Sequence, residues 1–129
     1  MPATIEDAEK TAVSLPDVTV GERYRQRTWM VAGKGFTWER PFSKADIKRF
    51  GTETPPDGPI VAVRVADLEE KEVVLAQDLP GFFTIPHFDG YAAVLIQLKK
   101  VRKKDLREAI VDAWLATAPP KLADAYLKR

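Results

Sequence analysis

Cysteine is absent from these 129 residues, which excludes a disulfide framework, thiol catalysis and cysteine-ligated zinc. Histidine is almost absent: His87 stands alone, and the only serines are Ser14 and Ser43, each placed at the end of an expected helix. A nucleophilic triad needs a nucleophile, a base and an orienting acid that converge, and nothing here is spaced to suggest one. A metal would have to rely on His87 and Asp89, two ligands where catalytic zinc takes three, so Asp89-Gly90 reads instead as a chain reversal. Gly33-Lys34-Gly35 is followed by no Ser or Thr, lacks the second glycine spacing of a phosphate loop, and is read as a hairpin tip. No apolar run reaches the roughly 18 residues of a membrane span. The acidic start, with Glu6 and Asp7, is unlike the basic-then-apolar pattern of a signal peptide. A cytoplasmic protein without membrane contact, catalytic residues or cofactor is expected.

The sequence is 45% hydrophobic and 30% charged, the balance of an ordinary globular protein, and its length suits one domain over residues 1–129. The net charge of +1 counts against a dedicated nucleic-acid packaging protein, so any such role requires basic residues gathered on one face.

Hydrophobic spacing organises the rest. Residues 4–14 read as a helix, with Thr4 as N-cap, Asp7 three positions on, a core face of Ile5, Ala8, Ala12 and Leu15, and Pro16 as its stop. Residues 21–40 read as one hairpin, with Trp29 and Val31 sharing a face with Phe36 and Trp38 in one register. Residues 43–50 suggest a short helix capped by Ser43, and residues 52–59, with three prolines and one glycine, a loop. Ile60 to Val65 is a β-branched run suited to a buried strand. Asp67-Leu68-Glu69-Glu70 resembles a capping box, and residues 82–98 read as two apolar strands joined by a Pro/Gly-bearing turn. Leu106, Ala109, Ile110, Ala113, Trp114 and Thr117 form one helical stripe, and Pro119-Pro120 separates it from a last short helix. The expected fold is α+β and two-layered, a largely antiparallel β-sheet with helices packed on one face.

Two basic clusters are candidate site residues. Arg23, Arg25 and Arg27, at spacing two, would line one sheet face and grip phosphates. Lys99, Lys100, Arg102, Lys103 and Lys104 crowd the junction before the long helix, where the helix dipole disfavours cations, and Lys34 sits near the hairpin tip. The alternative is that these arginines decorate a solvated strand and the lysines guard an edge against aggregation. Trp29, Phe36, Trp38, Phe82, Phe83, Phe88, Tyr91 and Trp114 are read mainly as core, with a small-ligand pocket as a third idea.

These segments together resemble the MmcQ/YjbR family of small bacterial proteins over nearly the whole chain. The resemblance rests on Ala12-Val13-Ser14-Leu15-Pro16-Asp17-Val18, Gly33-Lys34-Gly35-Phe36, Asp67-Leu68-Glu69-Glu70, Phe82-Phe83-Thr84-Ile85-Pro86-His87 and Gly90-Tyr91. The run from Ala113-Trp114 to Pro119-Pro120-Lys121-Leu122 carries it further. It implies a fold like that of secretion chaperones and CyaY-like proteins, and a DNA-binding label drawn from a double-wing arrangement. Residues 23–27 depart from that pattern, where small or turn residues are commoner. The expectation is a monomeric, non-enzymatic module that contacts the backbone of double-stranded DNA. Its rival is a protein-interaction or chaperone-like module that presents an apolar sheet face or an exposed edge to a protein partner. The first expectation requires the two basic clusters to converge.

Overall fold

Thr4 Oγ1 accepts the Asp7 amide at 3.2 Å and Asp7 Oδ2 accepts the Thr4 amide at 2.9 Å. This reciprocal cap begins α1 (Ile5–Val13) in the computed structural model, which describes residues 1–129. Ser43 and Asp46 form the same box at the start of α2 (Lys44–Arg49), with bonds of 2.9 and 3.1 Å. Asp67 caps α3 (Leu68–Ala76) from one side only, accepting the Glu70 amide at 2.8 Å. α4 (Lys103–Thr117) carries the apolar stripe, and α5 (Pro120–Leu127) begins on Pro120.

Six strands make one sheet in the order β1-β2-β3-β4-β6-β5, and every pairing is antiparallel. They are β1 (Val18–Arg23), β2 (Gln26–Val31), β3 (Lys34–Glu39), β4 (Ile60–Arg64), β5 (Phe82–Phe83) and β6 (Ala93–Gln97). The fold is α+β, with its long helices packed against an open sheet. β4 and β6 are buried on both faces, which is why residues 60–63 and 93–96 show no polar alternation.

The helix side holds the larger core. Trp29, Val31, Phe36, Val61, Val63, Val94 and Ile96 meet Ala8 and Ala12 of α1 and Leu106, Ile110 and Trp114 of α4, all buried. The Trp114 indole N–H donates to the Pro16 carbonyl at 3.1 Å and so ties α4 to the end of α1. On the other face Ile60, Ala62, Ala93 and Leu95 pack with Ile85 and Phe88, flanked by Phe42 and Phe50 at the two ends of α2. That second face is covered only in part, and the uncovered part carries the candidate site.

Residues 18–39 differ from the single expected hairpin. They form a three-stranded meander with two tight turns, Tyr24-Arg25 and Ala32-Gly33, whose central residues all have positive φ. Lys34 and Gly35 therefore belong to β3 and not to a tip. The pairing shifts between Trp29 and Met30: Trp29 faces Thr37 while Met30 faces Gly35, which leaves Phe36 as an extra, bulged residue. Phe36 consequently joins Trp29 and Val31 in the helix-side core, and Trp38 turns to the opposite face. Residues 82–98 also differ, because β5 is two residues long and a single 3-10 turn (Pro86–Phe88) stands before β6.

Candidate functional site

The bulge at Phe36 builds the site, because it sends Trp38 and Gly35 to the face where Arg64 also emerges. Arg64 ends β4 in register with the outward-facing Ala62, so it leaves the sheet on that same side. Its Nε donates to the Gly35 carbonyl at 2.9 Å and its Nη2 to the Tyr91 hydroxyl at 3.2 Å. The guanidinium lies 5.8 Å from the Trp38 ring centre and 5.6 Å from that of Tyr91. Two rings and two hydrogen bonds thus hold Arg64 in one orientation, while Nη1 keeps no protein partner.

A wall is added by residues 86–91, and a buried lysine secures it. Lys71 of α3 is 7% exposed, and its Nζ donates to the carbonyls of Phe88 at 2.6 Å and Tyr91 at 2.9 Å. Burial holds the Lys71 ammonium below its ordinary pKa, and Asp89 partly offsets that effect. His87 projects from this turn and Phe88 packs beneath it.

Arg40 forms the third side. Its Nη1 donates to Asp46 Oδ2 at 3.0 Å and to the Pro41 carbonyl at 2.6 Å, and the guanidinium lies 5.5 Å from the Phe88 ring centre. The Asp46 side chain is 1% exposed. Its burial favours protonation, but the Ser43 amide and Arg40 outweigh this and hold the carboxyl below its ordinary pKa.

The β1–β2 hairpin supplies the last side through Arg23 and Tyr24. Arg23 Nη2 donates to the Gly33 carbonyl at 2.6 Å. Tyr24, at φ 51°, is 97% exposed. These parts enclose a groove of about 920 Å³ whose lining includes three arginines, His87 and five aromatic side chains, and no aspartate or glutamate. Arg40 is compensated by Asp46, whereas Arg23 and Arg64 have only neutral partners. Such a surface can take an anion and stack a planar group beside it.

The basic residues singled out in the sequence fall elsewhere or apart. Arg23, Arg25 and Arg27 do not line one face, because the chain reverses at Tyr24-Arg25 and breaks the alternation. Arg23 lines the groove and Arg25 is exposed at the turn. Arg27 lies on the helix side, 3.2 Å from Glu9, 3.6 Å from Glu39 and 5.6 Å from the Trp29 ring centre. Lys34 is exposed at the start of β3. In the junction, Lys99 pairs with Asp57 at 2.8 Å, Arg102 with Asp105 at 2.9 Å and Lys103 with Asp7 of α1 at 3.6 Å. Lys100 and Lys104 are exposed without an ion partner. β1 and β6 are four strand spacings apart, about 19 Å. Arg23 on the outer face and Arg27 on the helix side leave the sheet in opposite directions, so the two clusters are not gathered on one face.

Sequence reasoning missed Tyr24, Arg40 and Arg64, which line the groove, and Lys71, which secures its wall from behind. Arg64 carried one signal, a lone charge that closes an otherwise apolar strand. Among the aromatics, Trp29, Phe36 and Trp114 are core as expected, while Trp38 and Tyr91 border the groove and Tyr91 is 40% exposed. Asp89-Gly90 does form the reversal before β6, with Gly90 at φ 75°. No group of three or more His, Asp or Glu is placed to hold a metal ion, and no helix is long and apolar enough to cross a membrane.

A second cleft, about 400 Å³, lies between α3 and α4 and is bordered by Glu70, Glu108 and Asp112. Burial, then Glu108 and Glu70, push the Asp112 carboxyl above its ordinary pKa.

No known family model matches the chain, and no solved structure does. The chain is similar to the uncharacterized protein Rv2570 of Mycobacterium tuberculosis, 41% identical over 128 residues that cover 97% of this chain and 96% of the relative. The uncharacterized protein Mb2600 of Mycobacterium bovis matches with the same identity and coverage. Identity at this level along almost the full length of both chains places the protein in the family of these mycobacterial proteins.

Proposed function

We propose that this protein is a non-enzymatic, monomeric nucleic-acid-binding module that grips phosphates through the groove on the outer sheet face. The observation that carries this reading is the lining itself: Arg23 and Arg64 have only neutral partners, and no carboxylate faces them. Arg25 adds a third uncompensated cation at the adjoining hairpin tip. The chain as a whole has a charge of only +1, so a cation-only concavity is a local feature and not a consequence of composition. The MmcQ/YjbR resemblance points to the same ligand class. In this reading the β1–β2 hairpin is the wing, and the Lys99 to Lys104 junction is a solvated helix start.

The test is a titration of labelled mixed-sequence DNA, single-stranded and duplex, at low and moderate salt. Three neutralised phosphates predict a log–log salt slope of about −2 on a single strand. Replacing Arg23 and Arg25 together with alanine should flatten that slope. No detectable binding to either form at low salt contradicts the proposal.

The second reading, a protein partner, is favoured by β1. This six-residue edge strand pairs on one side only and exposes Val20. Retention of a defined protein from nuclease-treated lysate, lost when Val20 is replaced by proline, would favour it.

A further inference from the structure

Tyr24-Arg25 is an anomalous choice for its turn. Both residues adopt positive φ, at 51° and 66°, where hairpins of this kind favour asparagine and glycine because a Cβ is crowded there. A strained turn with an aromatic ring standing 97% exposed at the rim of a cation-lined groove is not explained by packing. Its ring makes no aromatic pair or hydrogen bond within the protein, in contrast to Trp38 and Tyr91, whose rings lie 6.4 Å apart and flank Arg64. The hairpin tip and the groove therefore offer two separated aromatic platforms with guanidinium groups between and beside them.

That alternation of π-face and cation suits one partner. A duplex hides its base faces in its own stack and presents phosphates along a convex surface, whereas a single strand exposes both. We infer that the groove recognises single-stranded nucleic acid in preference to duplex, with one base stacked on Tyr24, a second against the Trp38–Tyr91 edge, and Arg23, Arg25 and Arg64 on the phosphates. This deepens the nucleic-acid reading and rests on it. Every base has a π-face, so the recognition is tolerant of sequence and depends on strandedness. DNA and RNA share this chemistry, and parallel deoxy- and ribo-oligonucleotides separate the two sources.

The experiment is fluorescence anisotropy of labelled oligonucleotides about 12 nucleotides long, single-stranded and annealed, on wild type, Tyr24→Phe, Tyr24→Asn and Lys100→Ala. Single strands are expected to bind more tightly than duplex. Tyr24→Phe keeps the ring and the affinity. Tyr24→Asn loses the ring and about tenfold in affinity, yet raises Tm by about 4 °C because asparagine tolerates the left-handed turn. Lys100→Ala, in the distant junction, leaves binding unchanged. A gain in stability with a loss of binding separates a recognition role from a folding one. Equal or tighter binding to duplex, or full affinity in Tyr24→Asn, overturns the inference and leaves the nucleic-acid reading standing. Absence of binding to both forms overturns both.

Discussion

Replacing Asp46 with alanine should cost the protein about 3–4 kcal/mol, and the structure says where that loss arises. The Asp46 side chain is 1% exposed and accepts from the Ser43 amide at 2.9 Å and from Arg40 at 3.0 Å. Loss of the cap contributes about 1 kcal/mol. Removing one partner of a buried pair costs about 3–5 kcal/mol in general, because the other charge stays buried and alone. Arg40 is 16% exposed and can turn partly toward water, which places this case at the lower end. Asp46→Asn keeps an oxygen for the Ser43 amide and loses only the charge, so it should cost about 2 kcal/mol. Urea denaturation at pH 7, followed by tryptophan fluorescence, reads both. The pH dependence has a definite sign. The folded carboxyl is held below its ordinary value of 3.8, so the unfolded chain takes up the proton first as pH falls. The stabilisation is complete above about pH 5 and is lost as pH falls through the depressed folded value. The difference between wild type and Asp46→Asn isolates it from the other carboxylates. A cost below about 1 kcal/mol for Asp46→Ala would refute the claim that this pair holds Arg40 at the groove.

Other outcomes follow from the same geometry. Lys71→Met removes both bonds to the 86–91 wall, and hydrogen exchange at the Tyr91 and Ala93 amides should quicken about tenfold; unchanged exchange would mean the wall is held by Phe88 packing alone. Asp112→Asn should raise Tm at pH 7, since the folded carboxyl is raised above 3.8 and its ionised form is disfavoured in the fold. That gain should vanish as pH falls below about 3.8, and a gain that persists there would point to packing instead of charge.

Most of the fold was legible in the sequence because local chemistry marked it. Thr4 with Asp7 and Ser43 with Asp46 begin helices in the reciprocal geometry their spacing suggests, and Pro16 and Pro120 sit where helices end or begin. The buried face of α4 coincides with the apolar stripe. The meander was less legible: Gly33 did mark the second turn, although the tip lies at Ala32-Gly33 and not at Gly33-Lys34-Gly35, whereas Tyr24-Arg25 is a poor advertisement for a left-handed turn that only the fold as a whole requires. The site was least legible. One bulged residue, Phe36, decides whether Trp38 faces the core or the groove, and alternation alone cannot locate a bulge. Sequence proximity gathered the arginines at positions 23–27, whereas the groove draws on Arg23, Arg40 and Arg64 from three separate strand ends. The lysine-rich junction looked conspicuous because its neutralising partners, Asp7 and Asp57, lie far away in the chain.

The most direct measurement is a two-dimensional amide and indole NMR titration of the intact chain with a single-stranded oligonucleotide. Progressive shifts confined to Tyr24, Arg25, the Trp38 indole, Arg64 and Tyr91 are the predicted result. Shifts centred on residues 99–104, with the Trp38 indole unmoved, would contradict the account.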